Sequence, residues 1–396
     1  MLAIAATSAI VAGCGSSEGS SASSKGAASS GNTSSSSPIV VGMSASRTGP
    51  FQVDGIASVE GNEYAVTAIN EHGGWLGHKI KLVTINDESE ASKAQQAYDK
   101  LITQEKVNFV IGPYAPELAA AAGAVATRNH YVMLDPETAL PIIKGSKWAI
   151  QDEPSASLFM QGFPAFAAKE GLKTIAIIGI ANAFGEECVN GQKKEASEAG
   201  LSVVYTNDYA PEGNMTSVAE AIKGHNPAAV DVCSFFSDGV AATKALNKVG
   251  FRPKMLGVSI APSEPTFTAS VGKLAERVIS TETWAPGLKT EGNEEFVKGF
   301  TKQFGHPPDY HAANGYASMQ VLGDAIASAK SFEQSKVLEA LYAHTYHTVL
   351  GTFKLNNEAV AYTYGMYLYQ IQNGQHKLIY PSNVAEAKVI VPYTGS

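Results

Sequence analysis

The residues of this chain that could do chemistry do not stand at the spacings that most enzymes use. The sequence has no Gly-x-x-x-x-Gly-Lys-Ser/Thr phosphate loop, no Gly-x-Gly-x-x-Gly after a predicted strand and no Gly-x-Ser-x-Gly nucleophile elbow. It also lacks a Cys/His spacing typical of a metal site, since His344 and His347 fall in a predicted helix end and strand. We therefore expect no catalytic residue, no cofactor and no metal.

The N-terminus carries a modification signal. Residues 2–11 form a small, apolar run that is long enough for the core of a signal peptide and too short to cross a bilayer. The run ends at Val11-Ala12-Gly13-Cys14, which looks like a lipobox, where bacterial signal peptidase cuts and lipid is attached to Cys14. No Lys or Arg precedes the run, which departs from the usual pattern. We predict a signal peptide over residues 1–13.

Residues 14–37 comprise the cysteine and a stretch that is almost entirely Ser, Gly, Ala and Thr. Such a composition cannot bury enough apolar surface to offset the entropy of ordering, so it predicts a flexible tether. A lipid anchor followed by a tether places the folded part outside the cytoplasm, either on the outer face of the cytoplasmic membrane or in the periplasm. No other run is apolar enough to span a membrane, so contact with the membrane is expected through the anchor only.

Length and charge narrow the possibilities for the rest of the chain. Residues 38–396 are too many for one ordinary domain and suit two. The net charge is −8 and no basic cluster is present, which makes nucleic acid an improbable partner. Apart from Cys14, the only cysteines are Cys188 and Cys233. They could form a disulfide in an oxidising compartment or remain two separate buried thiols.

Apolar runs and helical periodicities alternate along the folded part. Predicted strands are 39–43, 79–85, 107–111, 131–134, 174–179, 202–205, 229–233 and 255–258, with predicted helices at 58–70, 92–104, 117–128, 157–169, 185–198, 218–223 and 240–249. The alternation predicts two α/β lobes, each a parallel sheet flanked by helices. Ligands of such sheets bind beyond the carboxyl ends of the strands, in the loops after residues 43, 111, 134, 179, 233 and 258.

The C-terminal part has a different pattern. Residues 294–304, 310–329 and 334–342 have helical periodicity, and 362–372, 377–380 and 388–391 alternate like strands. A long helical stretch after two α/β units suggests that the chain returns to the first lobe.

Short motifs in a characteristic order carry a resemblance. They are Thr48-Gly49-Pro50-Phe51, Ala68-Ile69-Asn70-Glu71-His72-Gly73-Gly74, Ile111-Gly112-Pro113-Tyr114, Phe184-Gly185 and Tyr310-His311-Ala312-Ala313 with Tyr316. Over residues 39–381 the chain resembles the leucine/isoleucine/valine-type periplasmic binding proteins of ABC transporters. Trp284-Ala-Pro286 and the run 307–311 look like the branch that includes binders of aromatic and other organic acids.

This resemblance implies a two-lobed fold of type I that is a monomer, is not an enzyme and traps a small solute between its lobes. Lobe 1 would comprise residues 38–155 with 283–360, and lobe 2 residues 156–282 with 361–396, joined by three crossings. Closure on the ligand would be a hinge motion, and the ABC permease in the membrane would recognise the closed form.

In lobe 1 the resemblance implies ligand contacts at Phe51, Asp54, Tyr114, Ala115, Pro116, Glu117, Glu137 and Thr138. Amino-acid binders of the family offer hydroxyls at the start of the third helix, whereas this chain has Ala115-Pro116-Glu117. Glu117 is either a favourable first-turn carboxylate or a ligand contact. Thr138 is the best remaining hydroxyl, and Phe51 either contacts the ligand or packs under its own loop.

In lobe 2 the resemblance places aromatic rings over the ligand at Phe184 and at Phe235 or Phe236, and a polar contact at Ser259. Tyr310 and His311 could contact the ligand at the return to lobe 1. Arg47 could pair with a ligand carboxylate or face solvent.

The solute class stays open between two possibilities. The family favours an amino acid, but its members usually hold the ligand ammonium with an acidic group near the position of Ser259. Serine cannot neutralise an ammonium, which favours an aromatic or short organic acid or an amide instead. A sensor that partners a separate receptor and a doubly wound enzyme are the alternative functions.

Overall fold

The computed structural model describes residues 37–210 and 213–395. The predicted signal peptide, Cys14 and all but the last residue of the predicted tether lie outside the described residues. Within the described part, no helix is both long and apolar enough to span a membrane.

Five parallel strands form the sheet of lobe 1. They are β1 (Ile39–Ala45), β2 (Ile80–Asn86), β3 (Phe109–Ile111), β4 (Met133–Asp135) and β5 (Ala149–Gln151), in the spatial order β2-β1-β3-β4-β5. Helices α1 (Gln52–Glu71), α2 (Ala91–Asp99) and α3 (Pro116–Arg128) connect successive strands. Because the strands are parallel, the loops that follow β1, β3 and β4 all lie at one edge of the sheet.

Lobe 2 is built in the same way. Its parallel strands are β6 (Thr174–Ile180), β7 (Ser202–Tyr209), β8 (Ala229–Cys233), β9 (Met255–Val258) and β10 (Ile279–Glu282), with helices α4 (Phe163–Lys169), α5 (Ala183–Glu198), α6 (Met215–His225), α7 (Phe236–Lys248) and α8 (Pro265–Val271). All but the first residue of β6 are buried, as its unbroken apolar run predicts for a central parallel strand.

The rest of the chain supplies both lobes. It forms α9 (Asn293–Phe304), α10 (Tyr310–Ala329), α11 (Gln334–Ala343), β11 (Tyr346–Thr348), β12 (Gly351–Phe353), β13 (Tyr367–Gln372) and β14 (Gln375–Tyr380). Helix α10 packs on α1 of lobe 1, while β13 and β14 complete the second sheet in the order β14-β13-β10-β9-β8-β6-β7. The predicted α/β architecture with two lobes is confirmed.

Two glycines let α1 and α10 approach each other closely. A Cβ atom added at Gly61 would lie 2.1 Å from the backbone oxygen of Ala312, and one at Gly315 would lie 2.7 Å from the backbone oxygen of Ser58. This contact matters for the site because α1 carries Asp54 and α10 carries His311.

Two local predictions were wrong. The helix predicted over 157–169 begins only at Phe163, because Gly162 adopts a left-handed conformation with a φ of 94° and interrupts it. Residues 388–391 do not form a strand. The side chains of Gln370 and Gln372 hold this segment instead, through hydrogen bonds to the backbone of Ile390 and Lys388.

A disulfide joins Cys188 in α5 to Cys233 at the end of β8, with a Cα–Cα distance of 6.0 Å. Both cysteines are fully buried. Of the two possibilities left open by the sequence, the structure therefore has the bonded pair.

Candidate ligand-binding cleft

A small cavity lies between the two lobes, at the carboxyl ends of their strands. Its volume is about 10 Å³, and it is lined by Tyr114, Pro116, Glu137, Ala139, Glu153, Phe159, Phe184, Phe235, Ile260, Tyr310 and His311. A cavity of about 10–15 Å³ holds roughly one water molecule. The lobes are therefore almost completely closed on each other, and any organic solute requires them to part.

One wall of the cleft is aromatic and crosses from lobe to lobe. Phe51 lies edge-on to Tyr114 and Phe235, with ring centroids 5.6 and 5.5 Å apart. Phe235 stacks on Phe184 at 5.0 Å, and Phe184 meets Phe159 edge-on at 5.2 Å. Contacts of this kind contribute roughly 0.5–1.5 kcal/mol each beyond their buried area. The pairs between Phe51 or Tyr114 and Phe235 therefore hold the two lobes together.

The acidic end of the cleft is centred on His311, in the first turn of α10, whose ring meets that of Tyr114 edge-on at 5.2 Å. The Asp309 side chain caps this helix by accepting a hydrogen bond of 2.8 Å from the N–H of Ala312. The Nδ1 atom of His311 lies 2.6 Å from Oε2 of Glu137. Its Nε2 atom faces Oδ1 of Asp54 and Oε1 of Glu264, each at 3.7 Å.

These charged groups are deeply buried. Burial raises the pKa of Asp54 to about 6, although the nearby His311 lowers it. Burial also raises the pKa of Glu137 and of Glu264 well above the usual range, and it lowers the pKa of His311. Burial penalises each charged form because water no longer solvates it. A bound cation would restore part of that lost solvation.

The structure brings together many of the residues expected from the sequence. Tyr114, Pro116, Glu137, Phe184, Phe235, Tyr310 and His311 line the cavity. Phe51 touches the aromatic wall, and Asp54 faces His311 behind it. Phe235 lines the cavity, whereas its neighbour Phe236 is the first residue of α7 and does not.

Other expected residues are directed elsewhere. The hydroxyl of Ser259 accepts from the N–H of Ser234 and donates to its carbonyl, both at 2.8 Å. Thr138 donates to the carbonyl of Leu140 at 3.5 Å. Neither residue lines the cavity, so their hydroxyls serve the fold of the loops on which they lie.

The residues at the start of α3 and next to β1 also have structural roles. Ala115 is buried at the N-cap position with a φ of 74°, and Glu117 lies exposed in the first turn, where it complements the positive end of the helix. Arg47 faces solvent and forms an ion pair with Glu63 at 3.4 Å. None of the three lines the cavity.

Sequence reasoning missed two acidic residues at the cleft. Glu264 precedes α8, five residues beyond Ser259, and Glu153 lies in the first crossing after β5. Neither stands in a pattern that marks a ligand contact, because the strand before Glu153 was not predicted and Glu264 lies six residues beyond the predicted strand 255–258. Phe159, Ile260 and Ala139 complete the lining and were also not predicted.

Two α/β lobes that enclose a cavity at the carboxyl ends of their strands are the arrangement expected of a two-lobed solute-binding protein. Residues 38–376 match the Periplasmic binding protein family, and the chain belongs to this family. The resemblance drawn from the motifs is thus confirmed. Proteins of the family are extracytoplasmic ligand-binding components of ABC transporters.

Known proteins similar to this chain agree with the assignment. Leu/Ile/Val-binding protein homolog 7 of Brucella suis biovar 1 is 26% identical over 370 residues, which cover 87% of this chain and 92% of that protein. The leucine binding protein LivK of Thermotoga maritima superposes with a TM-score of 0.79 at 20% identity, covering 86% of this chain and 97% of that one.

A solute binding protein of an ABC transporter from Rhodopseudomonas palustris BisB5, in complex with 3,4-dihydroxy benzoic acid, superposes with a TM-score of 0.75 at 18% identity. The match covers 86% of this chain and 95% of that one. At such identities the structural similarity establishes the fold.

Proposed function

We propose that this protein is the extracytoplasmic, lipid-anchored binding subunit of an ABC importer that captures a small solute of the amino-acid class by lobe closure. The observation that carries the proposal is the cavity between the lobes, whose lining comes from both of them. Phe51 and Phe235 meet across the cleft in this closed form, so a permease could distinguish it from an open one.

The lining supports an amino acid more than a free organic anion. Phe159, Phe184 and Ile260 offer apolar surface to a side chain, and Glu153 offers a carboxylate to an ammonium group. Among the described residues that line the cavity, none is Lys or Arg, so an organic acid would bring a carboxylate without a counter-ion, whereas an amino acid also brings an ammonium group that pairs with Glu153. Glu153 thus supplies the acidic group that Ser259 does not.

Similar proteins point to both solute classes. The relative from Brucella suis is named for leucine, isoleucine and valine, and the similar protein from Rhodopseudomonas palustris was solved with a dihydroxybenzoic acid. The acidic lining is the reason for preferring the amino-acid class for this chain.

A thermal-shift screen of the purified protein tests the solute class. One set of solutes holds the L-amino acids, and the other holds benzoate-type and short aliphatic acids with their amides. A solute at a hundred times its Kd adds about 2.7 kcal/mol to the free energy of unfolding, which moves the Tm by several degrees. We expect a shift with at least one amino acid and a smaller one in Glu153→Gln. A shift with organic acids alone would contradict the proposed class.

Lipid attachment is tested in the full-length chain. Cys14→Ser should abolish incorporation of a labelled fatty acid and release the protein from the membrane fraction. Retention of label in this variant would show that Cys14 is not the lipidated residue.

A further inference from the structure

One imidazole and two carboxylates from different lobes converge behind the aromatic wall. Asp54 lies in the first turn of α1 and His311 in the first turn of α10, both in lobe 1, while Glu264 precedes α8 in lobe 2. One potential ligand atom from each residue lies within 4.8 Å of those of the other two. We propose that Asp54, Glu264 and His311 bind a divalent transition-metal ion, best matched by Zn²⁺, that bridges the two lobes.

The histidine is oriented as a metal ligand is. Its Nδ1 atom lies 2.6 Å from a carboxylate oxygen of Glu137, so a proton on Nδ1 leaves the lone pair of Nε2 directed at Asp54 and Glu264. Metal-binding histidines almost always donate their other ring N–H to a carboxylate or carbonyl, which fixes the tautomer and the ring. His311 is 1% exposed, and burial favours the neutral form that a metal requires.

The spacing of the potential ligands fits a small ion. Nε2 of His311 lies 3.7 Å from Oδ1 of Asp54 and 3.7 Å from Oε1 of Glu264. Around Zn²⁺, bonds of roughly 2.0–2.2 Å in tetrahedral geometry put neighbouring ligand atoms about 3.3–3.6 Å apart. The two distances from Nε2 are thus within a few tenths of an ångström of the required spacing, and the two carboxylate oxygens lie within 4.8 Å of each other. The three side chains would fill three of the four positions, and the fourth would stay available to water or solute.

Among the described residues, the potential ligand atoms also lack hydrogen-bond partners, which supports a bound ion. Both oxygens of Asp54, Oε1 of Glu264 and Nε2 of His311 are buried and have no hydrogen-bond partner in the described part of the chain. The hydroxyl of Tyr114 is near enough to lower the pKa of Asp54, although it does not form a hydrogen bond of normal geometry. Buried polar groups are normally paired, so unpaired atoms that converge from two lobes indicate a ligand.

The chemistry of the donors selects among cations. Mg²⁺ and Ca²⁺ prefer sites made of oxygen ligands, whereas an imidazole beside carboxylates suits Zn²⁺ and its neighbours in the transition series. In the described part of the chain, the ion pairs of Asp54 and Glu264 are with His311, and no Lys or Arg neutralises either carboxylate.

Because the ligands of the ion come from both lobes, the ion would bind the closed form more tightly than the open form. Its binding would therefore shift the protein towards the closed form. The ion would leave Glu153 free to pair with the ammonium group of a solute. It would also offer a positive partner to the solute carboxylate, and no Lys or Arg among the described residues that line the cavity offers one. The inference does not rest on the proposed function, since the ion can be titrated with no solute present.

The test is a titration of the metal-stripped, purified protein with Zn²⁺. Binding is measured by calorimetry and by competition with a chromophoric chelator. We expect one ion per chain, with affinity reduced at least tenfold in each of His311→Gln and Glu264→Gln, and about 10–100-fold in Glu137→Gln, which loses the orienting carboxylate. As matched control, His306→Gln removes a solvent-exposed histidine that pairs with Glu60 and should leave the affinity unchanged.

Co²⁺ provides a readout on the wild-type protein that does not depend on how well a variant folds. Its visible absorption bands should show tetrahedral coordination with nitrogen and oxygen ligands. Absence of one tight ion in the wild type, or an affinity unchanged in both His311→Gln and Glu264→Gln, would overturn the proposal. Amino-acid binding that persists in excess chelator would then show that the proposed function stands without the ion.

Discussion

The aromatic wall and the acidic end of the cleft adjoin each other at Tyr114 and His311, yet they differ in the contacts that their side chains still lack. Phe51, Phe184 and Phe235 are packed against one another, so their contacts are already made in the closed form. At the acidic end, Asp54 and Glu264 are buried without hydrogen-bond partners for the oxygens that face His311. The aromatic wall can therefore hold the lobes closed, whereas the acidic end gains most from a bound ligand.

The aromatic wall and the acidic end are also held in place by different interactions. The disulfide between Cys188 and Cys233 ties α5, which carries Phe184, to the strand that ends two residues before Phe235. The acidic end depends on the close contact of α1 with α10 through Gly61 and Ala312. A covalent link thus supports one region and helix packing the other, so each can be disturbed separately.

The largest effect is expected from removing the disulfide. The bond closes a loop with a sequence separation of 45, and cross-links of this kind stabilise by about 2–4 kcal/mol, chiefly by restricting the unfolded chain. Replacing both Cys188 and Cys233 with Ala should lower the free energy of unfolding by that amount in a denaturant titration. The same titration of the wild type under reducing conditions should give a similar loss, and equal stability with and without reductant would contradict it.

The next effect concerns the acidic end. Gly61→Ala places a Cβ atom 2.1 Å from the carbonyl oxygen of Ala312, so α1 and α10 must separate. We expect a loss of about 1–3 kcal/mol, although Ala is otherwise the better helix former. Gly224 in α6 is the matched control, because an added Cβ there meets no described atom within 4 Å. Gly224→Ala should be neutral or stabilising, and equal effects of the two changes would refute the argument.

A buried acid outside the cleft shows what burial does without a ligand site. Burial, reinforced by nearby Glu195, raises the pKa of Asp231 in β8 to about 8, against about 3.9 in an unfolded chain. The folded protein therefore binds this proton more tightly, and the free energy of unfolding falls as the pH rises from about 4 to about 8.

Asp231→Asn removes this titration. The variant should lose less stability than the wild type between pH 6.5 and pH 8, by on the order of 1–2 kcal/mol in denaturant titrations at both pH values. Asp208→Asn, at an exposed position of β7 in the same sheet, should keep the wild-type slope. A slope unchanged in Asp231→Asn would show that other groups cause the pH dependence.

The smallest effect tests the contact between lobes. Phe51→Ala removes the edge-on contacts to Tyr114 and Phe235 without opening a deep cavity, because Phe51 is only partly buried. We expect a loss of roughly 0.5–1.5 kcal/mol in the preference for the closed form. An interlobe fluorescence energy-transfer pair should report a larger mean distance in the variant, and an unchanged distance would exclude this role.

Much of the fold could be predicted from the sequence because it follows from local pattern. The buried apolar run of β6 and the long periodic stretch of α10 each indicate one structure only. Residues 388–391 alternate in the same way and yet form no strand, because the side chains of Gln370 and Gln372 bond to their backbone. Which groups a segment meets depends on the tertiary fold, which a local pattern does not contain.

The site was partly predictable for a related reason. Parallel strands gather their following loops at one edge, so the loops that carry Tyr114, Glu137 and Phe235 could be placed at the cleft from the strand pattern, and the family resemblance pointed to these residues within them. The direction in which a side chain points could not be predicted in this way. Ser259, for example, directs its hydroxyl to the backbone of Ser234 and not to the cavity.

The cluster at His311 lies beyond sequence reasoning for a different reason. Asp54, Glu264 and His311 are far apart in the chain, and they meet only when α1, α10 and the segment before α8 are packed together. No motif spacing records such a meeting.

The central claim is that a solute binds between the lobes against the aromatic wall. Calorimetric titration of the wild type, Phe235→Ala and Tyr362→Ala with a panel of L-amino acids tests it most directly. Tyr362 is the control because it is 55% exposed and does not line the cavity. The account predicts one amino acid bound per chain, with affinity lowered in Phe235→Ala and retained in Tyr362→Ala. Absence of binding by every amino acid, or equal affinity in Phe235→Ala, would contradict it.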